Sequence, residues 1–206
     1  ATDRTGEVAE ACAREDPGVR VVHHARPLGI GNAFRSGVAR ARHARVMYVP
    51  GDNENEVESL ATVFSAAGRA DIVVGYTENM QDRPWIRRAI SRTATFLFNA
   101  ASGLRLPYYN GMNLLPREAL AALPPWSGRF SFQAEVLVRL LLGGASYVCV
   151  PVRVRSVGGF SGLFRPANFL GTVAGIVRLL GICFVLRLRR GAGRGLKSAP
   201  GRAEEG

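Results

Sequence analysis

Val46-Met47-Tyr48-Val49 is a short apolar run halted by Pro50-Gly51, with a helical pattern on either side of it. Upstream, Ala33, Phe34, Gly37, Val38 and Ala41 form one stripe of a helix over 31–43. Downstream, 56–67 is helical and Asp71 to Gly75 is the next strand. Strands alternating with helices point to an α/β architecture with the sheet covered on both faces. The expectation is an open, mainly parallel sheet with flanking helices.

Further elements follow from local signals. Residues 5–14 read as a helix closed by Asp16-Pro17-Gly18, and Val19 to His23 as a strand. Trp85 to Ala101 is a long helix with Ile86, Ile90, Ala94, Leu97 and Ala101 on its apolar face and Gly103 as its cap. Pro107 to Leu115 reads as an irregular or extended connection, Arg117 to Leu123 as a short helix, Phe132 to Leu142 as a helix and Tyr147 to Val152 as a strand. His23 and His24 are expected on the surface.

Charge is distributed unevenly. Net charge is +11, and between Glu135 and Glu204 there is no acidic residue but eleven Lys and Arg; the rest of the chain balances. A basic excess confined to the C-terminal third points to phosphate or an anionic lipid surface. Nucleic acid is set aside, because the stretch lacks interleaved aromatics and contains an apolar run. That run, 169–186, has 18 residues and one charge, Arg178. A spanning helix needs about 20 apolar residues, and a central Arg costs roughly 2.5–3.5 kcal/mol. A helix lying in the interface with Arg178 snorkelling is therefore at least as good a reading as a span. Arg187, Arg189 and Arg190 follow, each attracted to an anionic leaflet by about 1 kcal/mol. Residues 191–206 read as a disordered basic tail. Three scattered cysteines, Cys12, Cys149 and Cys183, suggest no disulfide framework and favour a reducing compartment.

The chemistry is concentrated in Pro50-Gly51-Asp52-Asn53-Glu54. Ligands of parallel sheets bind beyond the carboxyl ends of strands, and this turn places two carboxylates there. Asp52 and Glu54, at i, i+2, can hold a hard divalent cation such as Mg²⁺ or Mn²⁺ that keeps waters and phosphates in its shell. The same residues also make a good turn, a reading of comparable weight. Gly29 and Gly31 open a helix, whose N-terminal N–H groups can receive an anion.

Taken together, Thr2-Asp3-Arg4-Thr5, Pro27-Leu28-Gly29-Ile30-Gly31-Asn32-Ala33 and Pro50-Gly51-Asp52-Asn53-Glu54 resemble the inverting nucleotide-sugar glycosyltransferases of the dolichyl-phosphate mannose synthase and polyprenyl-phosphate sugar transferase type. Tyr109-Asn110-Gly111, Phe132-Gln133-Ala134-Glu135, Val150-Pro151-Val152, Gly158 to Gly162 and Asn168-Phe169 are similar to that family's acceptor side. The resemblance implies a nucleotide-diphospho-sugar transferase fold of the GT-A type, and a divalent metal held by Asp52 and Glu54. It also implies a nucleotide diphosphate sugar donor and a polyprenyl phosphate acceptor at the cytoplasmic face of a membrane. The family's metal motif falls on Pro50, Asp52 and Glu54, and Pro50 cannot bind a metal. Glu135 is expected to orient sugar or acceptor. Arg92 and Asn110, with Gly29 and Gly31, are donor or phosphate candidates; Arg155, Ser161 and Arg165 are acceptor-phosphate candidates. Family members begin with a strand, then a second strand ending Asp-Asp-Gly-Ser; Ala1-Thr2-Asp3 resembles the tail of that second element, so at least one strand and its helix are expected to be missing. The expectation is a fold incomplete at the N-terminus, which binds nucleotide poorly. The expected divisions are a partial catalytic domain over 1–165, a membrane-associated helix over 166–190 and the tail. A catalytically inactive membrane scaffold and a transferase with a soluble saccharide acceptor are the alternatives.

Overall fold

The computed structural model describes residues 3–129 and 131–155 and a helix over 166–195, with side chains over 174–188 of that helix. Four strands form one sheet in the order β1-β3-β2-β4: β1 (Arg45–Met47), β2 (Ile72–Thr77), β3 (Asn113–Pro116) and β4 (Tyr147–Val152). The helices are α1 (Thr5–Glu15), α2 (Ile30–Arg40), α3 (Val57–Ser65), α4 (Trp85–Ser102), α5 (Arg117–Ala121), α6 (Phe132–Leu142) and α7 (Pro166–Gly195).

The sheet is mixed, which corrects the mainly parallel expectation. β2 and β4 run parallel, but β3 is antiparallel to both β1 and β2. Its four residues, Asn113-Leu114-Leu115-Pro116, are too few to show a period and end in a proline, so they read as connection rather than strand. The expected strand over Val19 to His23 is absent, since those residues lack ladder partners. Instead His23 meets Glu10 at 2.7 Å and His24 meets the Ser36 hydroxyl at 3.1 Å, both on the surface.

β2 is the central strand, and its alternate side chains enter two cores. Ile72 and Val74 face α4, α6 and α7 in a cluster with Phe98, Leu106, Val136, Leu137, Leu179 and Cys183. Val73 faces the other way, onto Val63 of α3, Met112, Leu114 and Val152. Period-two side chains on a strand covered on both faces produce this division. α4 ends at Gly103, left-handed at φ 73°, as expected.

α7 is longer than the expected 166–190 helix and continues through residues read as tail. It packs against α4 and α6 through Leu179 and Cys183, both fully buried. Among the described residues, no helix is long and apolar enough to cross a membrane.

Candidate functional site

β1, β2 and β4 all point one way, so their carboxyl ends share one edge of the sheet, and β3, reversed, begins there. The turn after β1 carries Asp52, Asn53 and Glu54. Asn53 takes a left-handed φ of 58°, which Asn tolerates better than other non-glycine residues, and the Glu54 N–H donates to Asp52 Oδ1 at 3.2 Å. Asp52 is exposed and Glu54 half-buried. Tyr48 lies close beneath; burial, then the Asp52 charge, push its hydroxyl pKa up.

The chain beyond β4 latches onto this turn. Arg155 N–H donates to the Glu54 carbonyl at 2.7 Å, Arg155 Nη1 donates to Asn53 Oδ1 at 3.3 Å, and Asn55 bridges Val154 in antiparallel fashion. Three of the expected site residues, Asp52, Glu54 and Arg155, are thus brought together across 102 residues of sequence. Two carboxylates and a guanidinium on one exposed rim suit a cation and the phosphate oxygens it shares.

Asn110 reaches the same edge, exposed, just before β3. The loop holding it is anchored by Tyr109, whose hydroxyl donates to Asn99 Oδ1 at 2.9 Å. Burial pushes the Tyr109 pKa up to about 12. The next residue, Gly111, lies against the backbone of Gly75 on β2, where a Cβ would meet the Gly75 carbonyl oxygen.

Other expected residues stand elsewhere. Gly31 N–H is donated to the Gly128 carbonyl at 2.9 Å, so this N–H of α2 is not free for an anion. A Cβ on Gly31 would come within 2.0 Å of the Ser127 carbonyl oxygen, and one on Gly29 within 2.6 Å of that of Gly128. Both glycines allow close packing of the 126–128 loop. Arg92 is exposed on α4, without a partner among the described residues. Ser161 and Arg165 lie outside the described residues.

Glu135 lies buried among basic partners. Its side chain is 2% exposed and accepts from Arg139 at 2.8 Å, from Arg178 at 3.2 Å and from the Ser127 N–H at 3.1 Å. Burial raises its pKa, but hydrogen bonds from Arg178, Arg139 and Ser127 outweigh this and hold the carboxyl below the ordinary glutamate range. Arg178, half exposed, thus reaches from α7 to this carboxylate.

Sequence reasoning missed Ser59 and Asn79. Ser59 Oγ donates to the Arg153 carbonyl at 2.9 Å and accepts from Arg153 N–H at 2.8 Å. Asn79 Nδ2 donates to the Val154 carbonyl at 2.8 Å while its Oδ1 accepts from Val154 N–H at 3.1 Å. No local signal marks either, because their partners are 94 and 75 residues away.

Comparisons with known proteins bear on the family and the fold. The family model described as glycosyl transferase family 2 matches residues 1–131. An undecaprenyl-phosphate mannosyltransferase of Micrococcus luteus is 28% identical over 162 residues, covering 73% of this chain and 66% of the relative. A dodecaprenyl-phosphate galacturonate synthase of Rhizobium johnstonii is 28% identical over 98 residues, 47% of this chain and 29% of the relative. The chain therefore spans about two thirds of the first relative's length and less than a third of the second's. Among solved structures, glucosyl-3-phosphoglycerate synthase from Mycobacterium tuberculosis in complex with uridine diphosphate superposes with a TM-score of 0.65. It is 18% identical, over 88% of this chain and 66% of that one. The same enzyme with Mn²⁺, uridine-diphosphate-glucose and phosphoglyceric acid gives 0.60 at 17% identity over the same shares. At such identity the likeness speaks for the fold, the GT-A nucleotide-diphospho-sugar transferase arrangement.

Proposed function

Because the chain belongs to glycosyl transferase family 2, we propose that it serves the transfer of a sugar, with inversion, from a nucleotide diphosphate to a polyprenyl phosphate at the cytoplasmic face of a membrane. The observation that carries this reading is the acidic turn 52–54 at the carboxyl end of β1, latched to Arg155 beyond β4.

The donor set fits a divalent ion in kind. Asp52 and Glu54 supply hard oxygens on an accessible turn, and no group of three candidate ligands occurs among the described residues. Mg²⁺ or Mn²⁺ suits such a half-filled shell, since both accept phosphate and water oxygens for the remainder. When bound, the ion supplies charge neutralisation for a departing diphosphate. Pro50, where the resemblance expects a carboxylate, makes the protein share of the shell smaller. Arg155 offers a planar fork that matches phosphate geometry. A phosphate acceptor is already ionised at neutral pH, so no strong general base is needed. Positioning and electrostatics account for the rate.

A lipid acceptor is supported by the outer face of α7. Ala174, Val177, Gly181, Phe184, Val185 and Leu188 are exposed at helical spacing. Arg178 interrupts them and is tied to Glu135. A helix with apolar residues on its outer face as well as on its packed face has a second hydrophobic environment to satisfy. Neither α4 nor α7 contains an acidic residue, so the face suits an anionic bilayer surface.

The test is sugar transfer from a panel of nucleotide diphosphate sugars to a short-chain polyprenyl phosphate, by wild type and by D52A and E54A. The expected loss is on the order of 100-fold for each variant. Undiminished transfer by the pair of substitutions would overturn the assignment. A parallel arm with a phosphorylated soluble acceptor separates lipid from soluble substrates.

A further inference from the structure

β4 ends at Val152, and beyond it Arg153–Arg155 has only an isolated backbone bridge, Val154 to Asn55. Side chains complete its anchoring. Ser59, 4% exposed, takes both backbone groups of Arg153. Asn79, 6% exposed, takes both backbone groups of Val154. An amide side chain used as donor and acceptor to one residue does what a neighbouring strand would do. Asn79 is itself oriented by Asp82, which accepts from its Nδ2 at 2.9 Å. Val154 and Arg155 in turn hold the acidic turn, Arg155 through its N–H to the Glu54 carbonyl and Val154 through its bridge to Asn55.

We propose that Ser59 and Asn79 are positioning residues, a two-sided clamp on the backbone of Arg153 and Val154 beyond β4 that thereby fixes the 52–54 turn, which Arg155 holds through the Glu54 carbonyl and the Asn53 side chain. They act through the backbone of 153–155 and touch neither Asp52 nor Glu54. Both sit where the chain re-enters the fold: Ser59 in the first turn of α3 directly after the acidic turn, Asn79 directly after β2. The clamp therefore ties the carboxyl ends of β1, β2 and β4 to one point. A preorganised ligand pair binds a cation more tightly than the same pair on a loose loop, and groups that orient ligands typically matter by one to two orders of magnitude in affinity.

This inference rests on reading the turn as the metal-holding element, and two readouts keep the two ideas apart. The first is amide hydrogen exchange of the peptide containing residues 52–56 and of one within α6, in S59A and N79L. The clamp predicts faster exchange at 52–56 with α6 unchanged. Exchange that stays at the wild-type rate in 52–56, or that rises equally in α6, overturns it. The second is Mn²⁺ affinity, from the paramagnetic resonance of free Mn²⁺, with urea unfolding as the stability reference. A weakening of about ten-fold in S59A or N79L at retained fold supports the clamp. Unchanged affinity with a lowered unfolding midpoint makes both residues merely structural and overturns it. Absence of Mn²⁺ binding by the wild type, with the local exchange response present, defeats the metal reading and leaves the clamp standing. Should N79L fail to fold, S59A carries both readouts alone.

Discussion

Arg178 on α7 closes on Glu135 of α6 with two 3.2 Å hydrogen bonds, Nε to Oε2 and Nη2 to Oε1. Arg139 approaches the same carboxylate from one helical turn away. A buried carboxylate with two cationic partners is costly to disrupt from its own side, because removal leaves charges without an acceptor. Glu135→Ala is expected to destabilise by about 3 kcal/mol. Arg178→Ala should cost at most about 1 kcal/mol, because the Arg178 side chain is 52% exposed and its charge is screened. Urea denaturation of the two variants measures the difference, and equal losses would contradict this account.

The same carboxylate sets a pH dependence. Its pKa is lowered in the folded state, so its contribution is present above the ordinary glutamate value, about 4.3. That contribution is lost as pH falls through the lower folded value. Stability measured from pH 7 down to pH 3 should fall more steeply for the wild type than for Glu135→Gln. Parallel curves would show that the group titrates alike in folded and unfolded chains.

Two glycines of α2 make a matched pair. Gly31 faces the 126–128 loop so closely that a Cβ would stand 2.0 Å from the Ser127 carbonyl oxygen and 2.9 Å from Phe132 Cβ. Backbone and a ring-bearing Cβ cannot yield cheaply, so Gly31→Ala is expected to cost about 1–3 kcal/mol, the range of overpacking. Gly37, on the same helix, has nothing within 4 Å. Gly37→Ala should instead stabilise by up to about 1 kcal/mol through helix propensity. Thermal melts of the two variants should move in opposite directions.

The contrast between Gly31 and Asp52 explains what the sequence could reveal. Helices with a clear apolar stripe, such as α2 and α4, were legible because their period depends only on neighbours three and four residues away. Likewise Asp52 and Glu54 stood out because a turn after an apolar strand is a local pattern. The direction of β3 was hidden, since strand polarity follows from long connections and from which neighbour completes the sheet. Glu135 looked like a site acid in a motif, and only the fold puts Arg178 over it. Gly31 had the composition of an anion-binding helix start, while its N–H belongs to a loop about a hundred residues away. Ser59 and Asn79 act on partners just as remote, so no window of sequence contains the reason for either.

The three cysteines should differ sharply in reactivity. Cys12 is exposed on α1, Cys149 is half-buried in β4, and Cys183 is fully buried on the inner face of α7. Burial pushes the Cys183 thiol up to about 11 and raises that of Cys149 as well. The thiolate is the reacting species, so at pH 8 Cys12 should be alkylated first, and Cys183 only on unfolding. Mass spectrometry after timed iodoacetamide treatment reads this order. Early modification of Cys183 would mean that α7 leaves α4 and α6 readily.

If α7 rests on a bilayer, its outer stripe and its basic residues should contribute separately. Phe184 is 65% and Val177 64% exposed, and neither touches the core that Leu179 and Cys183 complete. Phe184→Asp places a charge on the face presented to lipid and leaves the packed face intact. Its stability should match the wild type within about 0.5 kcal/mol, as for most surface substitutions. Flotation with vesicles of equal parts phosphatidylglycerol and phosphatidylcholine should recover the wild type with the lipid and leave Phe184→Asp behind. Raising the salt from 0.1 M to 1 M shortens the screening length from about 10 Å to 3 Å. The wild type should then lose part of its binding but keep the apolar share, and pure phosphatidylcholine should give that same share at low salt. Equal flotation of wild type and Phe184→Asp would place the lipid contact elsewhere on the protein. Loss of all binding at high salt would assign it to charge alone and leave the exposed stripe of α7 without a role in membrane contact.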